Sequence, residues 1–154
     1  LRATYPDARI VVLHRDPAKA VASSTSLSAS SHPESLSTAE FTGYYGQMWM
    51  NVLGTMTDRL VAHRAARGDD GFVDVHYQEL VADPVATVAR IYSHFGDELS
   101  PAARTAMQAH LDASPKGRYG AHAYSLEDAG LTPTAVRDRF AAYSERFGIV
   151  MEPA

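Results

Sequence analysis

Cysteine is missing altogether from the 154 residues. That excludes disulfides, thiolate-held metals and a cysteine nucleophile, and it suits a reducing compartment, here the cytoplasm. Long apolar runs are missing as well; none approaches the roughly 20 residues that a transmembrane helix needs. Nor is there an excess of positive charge. Fourteen Lys+Arg face 18 Asp+Glu, for a formal net charge of −4, so no nucleic-acid partner is expected and any anion site must be local. Leu1-Arg2-Ala3-Thr4-Tyr5-Pro6 shows neither an initiator Met nor a signal-peptide pattern. Finally, no glycine-rich loop carrying Lys and Ser/Thr follows a strand, so a phosphate cradle of that design is absent. The chain reads as a piece cut from something longer.

What is present fits a globular domain: 45% of residues are hydrophobic and 21% charged. Arg9-Ile10-Val11-Val12-Leu13-His14 is a nearly continuous β-branched run, the pattern of a strand buried on both faces. Asp16-Pro17 then opens a helix, with Asp16 as N-cap and Pro17 as its first residue. Ser28 to Ser37 read as a Ser-rich loop. A long helix is predicted from about Thr38 to Gly68, with Phe41, Tyr44, Tyr45, Met48, Trp49, Val52, Met56 and Leu60 on one broad apolar stripe. Phe72 to Tyr77 is the second strand candidate. Asp83-Pro84, Ser100-Pro101 and Thr132-Pro133 each open a further helix, the first ending at Gly96 and the last at Gly148. Two strands separated by helices imply a parallel sheet in a layered α/β fold. Two strands cannot cover so many helix faces, so further strands are expected upstream.

Three places carry chemistry. Arg15 follows the first strand, where open parallel sheets bind ligands, and its planar fork of donors suits a phosphate. Ser23 comes eight residues later, about 10 Å along the helix at 1.5 Å per residue. Spacing alone leaves open an Arg15–Asp ion pair and a packed Ser23 hydroxyl. Lys116-Gly117-Arg118-Tyr119-Gly120 offers two cations and two glycines that can wrap an anion, or a solvated surface turn. Tyr77 at the end of the second strand can face a base, or pack at the core boundary. His14 reads as a satisfied strand-end residue. His63, His94 and His110 lie on predicted helices without a partner one turn on, so no metal site is expected. Trp49 belongs to the core by default.

Taken in order, these segments resemble the bacterial branch of the sulfotransferases that use 3′-phosphoadenosine 5′-phosphosulfate. The likeness rests on Tyr5-Pro6-Asp7-Ala8-Arg9 through His14-Arg15-Asp16-Pro17 with Ser23, and on Tyr77 with Leu80 and Asp83-Pro84. It extends to Lys116-Gly117-Arg118-Tyr119-Gly120 and to the tail from Tyr124 to Gly148. The resemblance implies that Arg15 and Ser23 bind the 3′-phosphate, that Tyr77 lies against the adenine, and that Lys116, Gly117, Arg118 and Gly120 form a second phosphate loop. The Gly-Asp-Trp usual after that loop is replaced by Gly120-Ala121-His122, which leaves the choice between Lys116 and Arg118 open. It further implies a three-layer, P-loop-NTPase-like parallel sheet with helices on both faces, of which residues 1–154 are the C-terminal portion of a single domain. The part that grips the 5′-phosphosulfate lies upstream, and no catalytic residue is assigned. The resemblance leaves the identity of the acceptor open among small molecules, carbohydrates and lipids. The rival readings are an inactive nucleotide- or partner-binding fragment and a P-loop kinase of small molecules, for which the Arg15 and Ser23 pattern has no use.

Overall fold

A computed structural model describes residues 4–31, 39–114 and 125–152. Along them run β1 (Ile10–His14), α1 (Pro17–Ser30), α2 (Ala39–Arg67), β2 (Phe72–His76), α3 (Tyr77–Ala82), α4 (Pro84–His94), α5 (Pro101–Ala113), α6 (Pro133–Arg139) and α7 (Ala141–Phe147). No described helix is long and apolar enough to cross a membrane. The result is an α/β chain with a small parallel sheet and many helices.

The four X-Pro openings each behave as their chemistry dictates. Asp16 accepts from the Ala18 amide at 2.9 Å and Asp83 from Ala86 at 2.9 Å. Ser100 and Thr132 accept from Ala103 and Ala135, both at 3.2 Å. Each bond satisfies an orphan amide of the first turn, a cap worth about 1 kcal/mol. Proline follows in each case, where its missing N–H costs nothing.

The chain divides into two compact units. One comprises Leu1–His14 and Asp69–His122, the other Arg15–Gly68 and Ala123–Ala154. In the first, β1 and β2 pair in parallel from Ile10↔Phe72 to His14↔His76. Phe72, Val73, Val75, Val85 and Leu99 are its buried apolar residues. The sequence predicts β1 to be covered on both faces, but Val11 and Leu13, on one face, are 46% and 50% exposed. Among the described residues this sheet has two strands, and that face has little to pack against. On the opposite face His14 is buried, and its Nε2–H donates to Asp74 Oδ1 at 2.9 Å. The His76 ring stands 5.7 Å from that of His14. A buried imidazole left unpaired would be costly, so the satisfied strand-end reading of His14 holds.

In the second unit Val21, Ala129, Leu131, Val136 and Phe140 form the core, with Trp49, Met50, Leu53 and Leu126 packed against it. Here three expectations are corrected. Of the broad α2 stripe only Tyr45 is buried, while Phe41, Tyr44, Val52 and Met56 are exposed. The inward line runs instead through Gly46, Trp49, Met50, Leu53 and Gly54, a period in which small residues set the approach. A Cβ on Gly46 would lie 1.9 Å from the Ala129 carbonyl oxygen, so only glycine fits there. At Gly54 it would meet the tip of Arg139, a side chain that can yield. The single helix predicted from Pro133 to Phe147 is likewise two. It breaks at Phe140 (φ −106, ψ 16), which ends α6 and precedes α7. Burying that ring to 2% exposure offsets the interruption of the helix. Helix α1 also runs on to Ser30, past the predicted start of the Ser-rich loop. Ser30 and Ser31 turn their hydroxyls back to the Leu27 carbonyl, and Ser28 accepts from the Trp49 indole at 2.8 Å.

At the rim of this core Arg139 grips Asp58 with both ends of its fork, at 3.1 and 2.7 Å. The hydrogen bond from Arg139 holds the Asp58 carboxyl below the usual carboxylate range, against a smaller opposing effect of burial.

Candidate functional site

Arg15 sits between the last residue of β1 and the N-cap of α1. Its Nε and Nη2 donate to the two carboxylate oxygens of Glu152, at 2.9 and 3.2 Å. This is the parallel, two-pronged geometry in which guanidinium recognises an oxyanion. Both side chains are largely shielded, at 26% and 16% exposure, so the pair is less screened by solvent and salt than a surface ion pair. Spacing alone allowed an ion pair for Arg15 with an Asp; the acid that it meets is a Glu at the far end of the chain.

Asp16 holds the same tail a second time. Its carboxylate is buried, with Oδ1 capping α1 and Oδ2 accepting from the Glu152 backbone amide at 2.8 Å. Asp16 and Glu152 form one wall of a cavity of about 350 Å³ beside the first turns of α1, which Lys19, Ala22, Leu126 and Met151 help to line.

Ser23 is the seventh residue of α1 and is half-buried. The bidentate contacts of Arg15 go to Glu152 and not to this hydroxyl. Tyr77 opens α3 directly after β2 and is also half-buried. The segment that follows owes its form to local bonds. The Asp83 amide donates to the Glu79 carbonyl at 3.0 Å, and Thr87 Oγ1 donates to the Asp83 carbonyl at 2.8 Å. Arg90 reaches the Glu79 carboxylate at 2.9 Å. Thus Tyr-x-x-Leu-x-x-Asp-Pro encodes a one-and-a-half-turn helix, a cap and a new helix. Lys116, Gly117, Arg118 and Gly120 lie outside the described residues, as does His122. Among the described residues no group of three or more acidic, His or Cys side chains gathers to hold a metal.

Sequence reasoning missed Glu152 and the second bond of Asp16. The contact spans 137 residues, and nothing in the local pattern of the tail announces it.

The structure is similar to the crystal structure of a sulfotransferase from Mycobacterium avium, with a TM-score of 0.84 and 30% identity. The likeness covers 100% of this chain and 40% of that one, so the chain spans well under half the length of the solved relative. No curated protein matches the sequence. The Sulfotransferase family profile matches residues 1–101, from the start of the chain through β1, α1, α2, β2, α3 and α4 to the first residue of α5. With two thirds of its length matched by that profile, this chain belongs to the sulfotransferase family.

Proposed function

We propose that the protein carrying this chain transfers a sulfuryl group from 3′-phosphoadenosine 5′-phosphosulfate to a hydroxyl or amine of a small molecule, carbohydrate or lipid. In this reading the two described strands are part of a three-layer, P-loop-NTPase-like sheet, and residues 1–154 are the C-terminal portion of its domain. Arg15 and Ser23 hold the donor's 3′-phosphate, Tyr77 lies along the adenine, and Lys116, Gly117, Arg118 and Gly120 close on the phosphate from the other loop. The observation that carries the proposal is the Arg15 fork, turned so that two parallel N–H groups grip an oxyanion. A phosphate offers the same pair of oxygens with more charge.

The reaction is a displacement in line at sulfur. The acceptor heteroatom bonds to sulfur, giving up its proton to a base or to solvent, as the bond from sulfur to the 5′-phosphate oxygen breaks, and adenosine 3′,5′-bisphosphate leaves. By analogy with phosphoryl transfer, such a step depends on positioning and on charge stabilisation rather than on covalent protein chemistry. Anchoring through the 3′-phosphate also separates this donor from ATP, which lacks that group.

Calorimetry tests the reading directly. Adenosine 3′,5′-bisphosphate is expected to bind the protein more tightly than AMP, and Arg15→Ala to remove about tenfold to a hundredfold of that affinity, the scale of one lost charged hydrogen-bond partner. Equal affinity for AMP and the bisphosphate would overturn the assignment.

A further inference from the structure

The geometry points to Glu152 as a built-in occupant of the anion site: its carboxylate sits on Arg15 in place of the donor's 3′-phosphate and must be exchanged for it on binding. This inference rests on the donor assignment above and adds a regulator to the same site.

Three observations carry it. First, Glu152 takes the Nε and Nη2 edge of Arg15, one of the edges that present two parallel N–H groups, with both of its oxygens. A phosphate that grips Arg15 through this edge displaces the carboxylate. Second, the two anions do not fit together. A carboxylate left in place would stand within a few ångströms of a phosphate carrying up to two negative charges, in a site where both members of the pair are mostly shielded from water. Third, the occupant is delivered at high local concentration. The Glu152 amide is tied to Asp16, the residue next to Arg15, by a 2.8 Å bond to a buried carboxylate oxygen. The side chain therefore returns to Arg15 whenever the site empties, as any tethered ligand does.

Such an occupant has two consequences. It keeps the guanidinium paired and ordered while the site is empty, and it lowers the apparent affinity for every anion that uses Arg15. For a transferase whose leaving nucleotide carries the same 3′-phosphate as its donor, an internal competitor also hinders rebinding of the released product.

The test uses the protein with Glu152→Gln, which keeps the size of the side chain and removes its charge. Glu152→Asp retracts the carboxylate by one methylene and guards against a fault in folding peculiar to the first variant. Both are titrated with adenosine 3′,5′-bisphosphate and with AMP. The expected result is about tenfold tighter binding of the bisphosphate by either variant, equivalent to about 1.4 kcal/mol, with AMP affinity changed less than twofold. In the Arg15→Ala background Glu152→Gln gives no gain, because the two residues act through one contact. If the wild-type protein does not distinguish the bisphosphate from AMP, the donor assignment fails and the exchange falls with it. If it does distinguish them but Glu152→Gln leaves the affinity unchanged, the exchange alone is wrong. Weaker binding by Glu152→Gln also overturns the exchange, since Glu152 would then serve to orient Arg15 for the phosphate.

Discussion

The two units settle their apolar surface differently. In the helical unit Val21 and Ala129 are wholly buried, Val136 and Phe140 are 2% exposed, and Gly46 meets the Ala129 backbone with no space to spare. In the unit that holds the strands, β2 is covered, yet Val11 and Leu13 of β1 stay about half exposed. Packing density is thus uneven along the chain. The helices of the second unit close on one another around a shared core, whereas a strand needs a layer on each face, and β1 has one face the better filled among the described residues. Stability follows close packing, so substitutions in the helical unit are expected to cost most.

The largest effect belongs to Phe140→Ala, which empties the core at the break between α6 and α7. It should cost about 3–5 kcal/mol in urea unfolding, the range for a large ring removed from a packed interior. A loss below 1 kcal/mol would show that this core is loose and dissolve the contrast. Leu13→Ser sharpens the other side. In residues 1–154 taken alone the expected change at this half-exposed position is under about 1 kcal/mol, and a penalty equal to that of Phe140→Ala in the longer protein would mean that the proposed three-layer sheet covers this face.

The smallest effect lies at the rim, in Asp58→Asn. Because its carboxyl is held below the usual range in the folded chain, the ionised group stabilises the fold above the ordinary carboxylate pKa, and that gain fades as pH falls through the lowered value. Solvent and salt reach this pair, since Asp58 is 56% exposed. The gain is therefore a few tenths of a kcal/mol, and thermal melts at neutral pH and near pH 3 should show the wild type losing its advantage over the variant in acid.

Much of this architecture was legible in local chemistry. Asp16-Pro17, Asp83-Pro84, Ser100-Pro101 and Thr132-Pro133 each state a cap and a first turn, and all four are observed. The first strand was readable from its β-branched run and the second from its partial alternation. What escaped notice depends on partners distant in sequence. Helix α3 has no side-chain cap at His76 and only six residues, too few for a periodic signal. Phe140 continues the apolar period without a fault, so only the folded core reveals the break. The α2 stripe misled because hydrophobic period marks large residues, whereas the approach that matters is made by Gly46. For the candidate site, Arg15 and Ser23 were legible as a pattern and Tyr77 as a segment. The carboxylate that Arg15 meets was not, for Glu152 follows Arg15 by nearly the whole length of the chain.

Asp16 has a consequence for the order of folding. One of its oxygens serves an amide two residues away, the other an amide 136 residues away. The first bond can form as soon as a few residues have emerged, while the second must wait until nearly all the chain has found its place, because closing so long a loop is slow. Protection of the Glu152 amide from solvent exchange should therefore be among the last signals to mature during refolding, a timer that reads completion next to the arginine where the nucleotide is proposed to dock.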